Sequence, residues 1–400
     1  MGMIINIDRA LKERTHYNVL QEPLHAMMQA EQEAWERENP IDLLFVRNMI
    51  SGFQETYTSS IGFAHAFAET SDYNVGPIFN QAEGFTATYR TKTFQGGFII
   101  TQQTLEDGNV GQVKDDASAF GKRWRADIVE YVMKSLEGGF GKEAVWGNDS
   151  NGGKSYIKLD SADTTDGKIR TATKNPLFTN AHKTVARDDD TSTVKTQSNL
   201  YYVNIDLADN ASNKIPALAE AINTVITNME NLLDDNGKIT GVLGSKDIII
   251  PNNAHLKAAL KTALSMEMFD QGESKFLNPA YNIGTMKSTP YLNNICDGKC
   301  IFIVDKAYNK ANHGLEFTER IPFTLEATEL KRPNGIAYDG RQRFDTNVAT
   351  WRGIACIYLG NPATDAPAWA NSTSMFTEIE VGEAIAKPVY ITNASEVGAQ

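Results

Sequence analysis

Between residues 112 and 137, apolar side chains recur every three or four positions: Val113, Ala117, Phe120, Trp124, Ile128, Tyr131 or Val132, and Leu136. That spacing draws one stripe along a helix of roughly seven turns, about 39 Å long. Gly138-Gly139 ends it, as glycine does at helix C-termini. A helix this far beyond the usual ~12 residues predicts a spine against which other elements pack. A second stripe, Ile215, Leu218, Ile222, Val225, Ile226, Met229 and Leu232, predicts a helix over 214–233. The short apolar run 247–250 reads as a strand. Pro251 then leads into a third helix over 254–266, and 301–304 is a further strand. Helices and strands interleaved in this way predict an α/β lobe.

Elsewhere the period is two. Phe85, Ala87 and Tyr89 alternate with Thr86, Thr88 and Arg90, and 98–101 resumes strand after Gln95-Gly96-Gly97, which reads as a bend or bulge. Residues 76–104 are therefore expected to form a long hairpin. Ile321, Phe323, Leu325 and Ala327 alternate in the same way, and a strand pair is expected from Phe344 to Leu359. Before the hairpin lies an arm, residues 1–75, with helical stretches expected at 24–35 and 41–52 on either side of Pro40. Its apolar Leu43, Leu44, Phe45, Ile50 and Phe53 need a surface to cover. Residues 145–204 are polar and rich in Gly, Asp, Thr and Asn. They read as an insertion or flap whose one apolar anchor is the stretch from Leu177 to His182. The stretch 361–400 carries little core-forming pattern and is expected to be clamped by neighbouring subunits. There is no internal repeat. The order predicts an α+β architecture with at least two lobes.

Composition narrows the class. With 400 residues, 41% hydrophobic and 22% charged, the chain can bury a real core. A net charge of -12 sets its average surface against nucleic acid and anionic membranes. The longest apolar runs are strand-sized, so no membrane segment is expected. The first residues lack a signal-peptide core, and Asn6 stands where a myristoylation signal wants Ser or Thr. Three cysteines are too few for a disulfide framework, which points to cytoplasmic synthesis.

Catalytic chemistry is sought and not found. Gly153-Lys154-Ser155 fits the end of a phosphate-binding loop, but Asn148 stands where the first glycine belongs. Such a loop also joins a strand to a helix, whereas a strand is expected after this one, so a turn is the expected structure. Cys296 and Cys300 have three residues between them and no second pair, which argues against zinc; Asp297-Gly298 reads as a turn. The Asp234-Asp235-Asn236-Gly237 stretch carries its glycine too early for a calcium loop and reads as a solvated helix end. Asp188, Asp189 and Asp190 read as an exposed loop. The six histidines are scattered, and no nucleophile elbow occurs. Trp351-Arg352-Gly353 reads as core packing with one salt-bridged arginine. No catalytic, cofactor-binding or metal-ligating set is assigned, and weight moves to a structural or binding protein.

Several segments, each weak alone, carry a resemblance when taken in order. They are Asn175-Pro-Leu-Phe-Thr-Asn-Ala-His182, Thr196-Gln-Ser-Asn-Leu200, the helix at 214–233, Lys246-Asp-Ile-Ile-Ile-Pro251 with its helix, and Trp351-Arg352-Gly353. Over about residues 40–360 the chain resembles the major capsid proteins of tailed bacteriophages, most closely the Mu-like major head subunits. The resemblance implies the Hong Kong phage capsid fold. Its parts would be an N-terminal arm (1–75), an extended hairpin loop (76–104) and a peripheral lobe with a long spine helix (105–144 and 311–360). An insertion (145–204), an axial α/β lobe (205–310) and a C-terminal tail (361–400) complete it.

It also implies a job: an icosahedral shell subunit, in hexamers and pentamers, that encloses double-stranded DNA without reading its sequence. The implied partners are other copies of the chain, a scaffold protein, a portal and, where the head carries one, a decoration protein; no cofactor and no membrane are implied. The implied location is the virion, with assembly in the cytoplasm of a bacterial host. Phe85, Tyr89, Arg90, Lys92 and Phe94 on the loop, with Arg123 and Arg125 on the spine, are then the candidate contacts between subunits. Some relatives cleave a long leading segment, but only about 75 residues precede the hairpin here and Met1 is present, so a separate scaffold and no cleavage are expected. Some relatives crosslink a loop lysine to an asparagine; Lys92 is the only lysine of the hairpin, and no acceptor is evident. Two alternatives stand beside this reading: a cellular nanocompartment shell of the same fold, and a nucleotide-binding enzyme using residues 147–156.

Overall fold

The computed structural model describes residues 39–62, 82–101, 103, 110–148, 153–162, 174–185, 194–205, 214–235, 237–271, 274–331 and 334–381. The first arm helix expected at 24–35, the aspartate run 188–190 and residues 382–400 lie outside them.

A 3-10 turn, Pro40–Leu43, opens the described chain, with Asn39 accepting from the Ile41 N–H. Strands β1 (Val46–Met49), β2 (Gln54–Gly62), β3 (Ala82–Arg90) and β4 (Lys92–Thr101) follow. The spine helix α1 is Val110–Gly138. Short strands come next: β5 (Ala144–Asn148), β6 (Lys154–Ile157), β7 (Asp160–Ala162), β8 (Lys174–Pro176), β9 (His182–Lys183), β10 (Thr196–Gln197) and β11 (Leu200–Val203). The lobe that follows holds α2 (Ile215–Glu230), β12 (Lys246–Pro251), α3 (Ala254–Ser265), β13 (Met268–Gln271), β14 (Ser274–Leu277), β15 (Gly284–Thr289) and β16 (Cys300–Val304). Last come α4 (Lys306–Ala311), β17 (Leu315–Lys331), β18 (Asn334–Val348), β19 (Ile354–Leu359), α5 (Pro362–Asp365) and β20 (Thr377–Glu378). The architecture is α+β.

Two sheets organise the molecule. One has six strands in the order β15-β12-β16-β19-β11-β20. Its two central strands, Cys300–Val304 and Ile354–Leu359, are buried at every position. Both faces are covered, which is why these strands read as unbroken apolar runs rather than as an alternation. Ile301, Ile303, Ala355 and Ile357 pack under α2 and α3. Cys300, Phe302, Val304, Ile354, Cys356 and Tyr358 face the other way, onto Val129, Val132, Met133 and Leu136 of the spine.

The other sheet has four strands in the order β1-β17-β18-β4. Its long β17–β18 hairpin pairs Leu315 with Val348 at the root and Lys331 with Asn334 at the tip. At about 3.4 Å per residue, the 17 residues of β17 reach roughly 55 Å. The N-terminal half of the spine lies on this sheet: Ala117 and Phe120 pack with Ile100, Leu325, Ile336 and Tyr338. At 29 residues the spine is about 43 Å long, enough to serve both sheets.

Several expectations are corrected. The stretch 41–52 is not a helix. Ile41, Leu44 and Phe45 have helical spacing, but one 3-10 turn buries all three, and the β-branched Val46 starts a strand parallel to Glu316–Glu319. Residues 76–104 do not form one hairpin. β3 pairs with β2, while β4 pairs with β18, so the chain changes sheet at the single residue Thr91. The arm hairpin is therefore β2–β3, and residues 63–81 lie outside the described residues. Phe344 to Leu359 is likewise split: β18 ends in the four-stranded sheet and β19 runs through the six-stranded one. The α/β lobe is wider than 205–310, because β11, β19 and β20 complete its sheet. In the stretch read as an insertion, Leu177, Phe178, His182 and Leu200 are fully buried. The tail is clamped by its own chain as far as Val381: Trp369, Met375, Phe376 and Ile379 are buried, and Trp369 donates to Asp297 at 2.8 Å.

Gln95-Gly96-Gly97 is not a bulge. It continues β4 in regular register against Arg341, Gly340 and Asp339. The glycines instead leave a hollow in the sheet. A Cβ at Gly340 would meet the Phe323 ring at 2.8 Å, and one at Gly96 would meet Trp124 at 3.4 Å. The Phe323 and Trp124 rings sit edge to face above, 5.0 Å apart. Gly340→Val is expected to cost about 1–3 kcal/mol by overpacking, read as a lower urea midpoint. Gly96→Ala, meeting only ordinary van der Waals contact, is expected to cost less. Equal losses in the two variants would count against the hollow.

Candidate assembly interface

Outside the two large sheets lie the arm hairpin β2–β3 and two small hairpins, β5–β6 and β13–β14, while β17–β18 is the long hairpin of the four-stranded sheet. Exposed apolar side chains stand at the root of the arm hairpin and on the two small hairpins. Met49 (72% exposed) and Phe53 (59%) stand at the root of the arm. Val145 and Tyr156 are cross-strand partners on β5–β6, and Met268 and Leu277 are partners on β13–β14. All four are exposed. Ile239 and Leu243 project from the loop between α2 and β12. Of these, only Phe53 was singled out from the sequence. Alternation marks two faces of a strand but does not say which one the rest of the molecule covers.

The seven candidate contact residues divide. Tyr89 is buried and donates to the His313 carbonyl at 2.9 Å. Phe85 is buried at a cleft wall. Phe94 stacks on Phe344 at 4.4 Å, and Arg125 is buried. These four face inward and help to hold their own protomer together. The strand period of Phe85 and Tyr89 was read correctly, but the face they line is internal. Arg90 remains exposed, with its Nε on Gln54 Oε1 at 3.1 Å. Arg123 is exposed on the spine and pairs with Asp127 at 2.7 Å and Glu130 at 3.5 Å.

Lys92 lies between these cases. Its Nζ donates to Tyr131 Oη at 3.0 Å and stands 3.7 Å from Asp345 Oδ2. Tyr131 donates in turn to Asp345 Oδ1 at 2.7 Å. This cluster ties β4, the spine and β18 together where Thr91 turns the chain between sheets. Burial pushes the Asp345 carboxyl above the ordinary carboxylate range, and Lys92 pulls the other way.

A cleft of about 810 Å³ separates the arm hairpin from the α/β lobe. Tyr57, Phe85 and Ala87 line the hairpin side; Tyr308, Trp351, Arg352 and the 239–241 loop line the other. Arg352 pairs with Asp235 at 2.7 Å and donates to the Leu233 carbonyl at 2.9 Å, so the sequence expectation of a salt-bridged arginine beside a buried Trp351 holds. The 234–237 stretch closes as a tight turn, with Gly237 N–H on the Asp234 carbonyl, and Asp235 there is buried rather than solvated. Trp351 stacks flat on His182 at 3.9 Å.

The remaining chemical motifs take ordinary structural places. Gly147 to Tyr156 spans the β5–β6 hairpin, so Lys154 begins a strand and no helix N-terminus follows Gly153. Cys296, Cys300 and Cys356 are free and buried together against the spine. Burial pushes the Cys296 and Cys356 thiols well up. Asp297 and Gly298 make the expected turn, at φ 56° and 65°. Among the described residues, no group of three His, Cys, Asp or Glu side chains is placed to hold a metal ion, and no helix is long and apolar enough to cross a membrane.

No family model matches the chain, and no curated protein matches its sequence. Solved structures resemble it distantly. A chain of the Mycobacterium phage Patience structure superposes with a TM-score of 0.45 at 12% identity, over 91% of this chain and 94% of that one. The capsid of Myoviridae phage XM1 gives 0.45 at 11% identity, over 79% and 90%. A virus-like particle from Pyrococcus furiosus gives 0.41 at 11%, over 84% and 98%.

Proposed function

We propose that the chain is the major head subunit of a tailed phage, of the Mu-like type, and that it assembles into an icosahedral shell around double-stranded DNA. The observation that carries this reading is the order of parts within one chain. An arm hairpin is followed by a spine helix that backs two separate sheets, then by an α/β lobe, and a second long hairpin returns along the spine. This is the order that the sequence resemblance calls for, once the hairpin is moved to β2–β3. Several separate two-stranded hairpins suit a subunit that closes a shell through many weak, symmetric contacts. Exposed apolar side chains at several separate projections suit several neighbours. The net charge of -12 keeps the wall from adhering to a packaged polyanion.

In this reading the subunit forms hexamers and pentamers, with a separate scaffold, a portal and, in heads that carry one, an external decoration protein. It works without a cofactor. The test is sedimentation of the purified full chain, alone and with scaffold, followed by electron microscopy. Closed particles, tubes or hexameric sheets of megadalton mass are expected. A stable monomer or dimer in both preparations would overturn the proposal.

A further inference from the structure

The arm hairpin is thinly attached. Its strands pair only with each other among the described residues, and the cleft lies behind it. Its main polar anchorage is one cluster around His313, in the turn between α4 and β17. His313 holds φ at 51°, the left-handed region that non-glycine residues seldom adopt. From there its ring stacks on Tyr57 of β2, centroids 4.0 Å apart. Tyr57 leans on Tyr89 of β3 at 4.7 Å, and Tyr89 donates to the His313 carbonyl. On its other side, His313 Nδ1 lies 3.1 Å from Oε1 of Glu316, a carboxylate only 3% exposed. Asn48 bridges the system, donating at 3.1 Å both to the other Glu316 oxygen and to Tyr57 Oη, and Tyr57 donates to Glu55 at 2.6 Å.

We propose that His313 is a proton-operated latch, holding the β2–β3 hairpin against its own lobe more firmly when the imidazole is charged. Histidine is the side chain that changes charge between about pH 5 and 8. The charged ring adds a full ion pair to a hydrogen bond with a buried carboxylate, and charge-assisted bonds are about twice as strong as neutral ones. It also places a cation on the face of Tyr57. The charged and titratable groups facing the ring are Glu316 from β17, Glu55 and Tyr57 from β2, and Tyr89 from β3. Across the cleft stand Asp234 and Asp235, with Arg352 paired to Asp235. Burial, with Glu55 alongside, pushes the Tyr57 hydroxyl up to about 12, so it stays neutral throughout this range. The sign follows from that contact: a cation on the Tyr57 ring holds β2 more firmly than a neutral imidazole does, so the docked hairpin is expected to gain as pH falls and to loosen as pH rises. The latch does not depend on the shell reading.

The test is hydrogen exchange of the full chain at pH 5.5 and 8.0, with labelling times scaled for intrinsic exchange. In the wild type, peptides covering 54–58 and 86–90 are expected to be about threefold to tenfold better protected at the lower pH. In His313→Gln and in Glu316→Gln that ratio is expected to fall to near one. Peptides from β16 and β19 report whether each variant still folds. If neither does, the wild-type ratio alone decides. A flat wild-type ratio, or an unchanged ratio in a folded His313→Gln, would overturn the latch.

Discussion

Truncating the arm hairpin is expected to leave a folded, soluble subunit that no longer closes shells. The cut that separates the two properties lies between Tyr57 and Ala87, which are cross-strand partners and can be joined by a two-residue Asn-Gly turn. Removal of 58–86 takes away the projecting part of β2–β3. It spares Tyr57, Tyr89 and the whole of β4. A cut across 86–95, inside the loop expected at 76–104, would instead remove the first four residues of β4, which pair with Phe344 to Arg341, and with them the Lys92 cluster on the spine. That deletion is expected to unfold the four-stranded sheet. Circular dichroism and sedimentation of both variants would decide. Normal closed particles from the 58–86 deletion would remove the arm hairpin from the assembly mechanism.

Asp305→Ala is expected to cost about 3–5 kcal/mol, because it strands a charge in the core. Lys246 is 2% exposed and Asp305 fully buried. The three Nζ donors are all used, on the Val242 and Gly244 carbonyls at 2.7 Å each and on Asp305 Oδ2 at 2.9 Å. The other Asp305 oxygen accepts from the Tyr308 N–H at 2.9 Å and so caps α4. Loss of the carboxylate leaves an ammonium held by two carbonyls alone and an uncapped helix end. The fall should show as a lower urea midpoint at constant slope. Lys246→Met combined with Asp305→Asn is expected to recover most of the loss, since it removes the charge and keeps a capping oxygen. A cost below about 1 kcal/mol for Asp305→Ala would mean that water reaches the pair.

The spine was legible because a helix satisfies its hydrogen bonds within four residues and shows its buried stripe at a period close to 3.6. The same holds for α2 and α3, each found within a few residues of its expected ends. β3, β4, β12, β16 and β17 were legible as strands, and their partners were not. β3 and β4 are separated by one residue, yet their partners lie in different sheets: Gln54 faces Arg90, whereas Lys92 faces Phe344, far along the chain. Nothing in local alternation distinguishes these cases. The tail misled for a related reason. Trp369, Met375 and Phe376 are too widely spaced to form a stripe, and they become core only because the chain folds back over Tyr358 and Phe140.

The candidate contact residues follow the same division. Phe85 and Tyr89 were recognisable as one face of a strand, and Phe94 and Arg125 as parts of regular elements. Their inward orientation required the spine and β18 to be in place. His313 gave no signal at all: a lone histidine before a glycine becomes a junction only where β2, β3 and β17 converge. By itself, then, the sequence determined the three long helices, several of the strands and the short apolar runs at 247–250 and 301–304, since these follow from hydrogen bonds and side-chain periods a few residues long. Only the tertiary structure decided which strands share a sheet, which face of each is covered and where the arm is anchored, because those depend on contacts between residues brought together from distant parts of the chain.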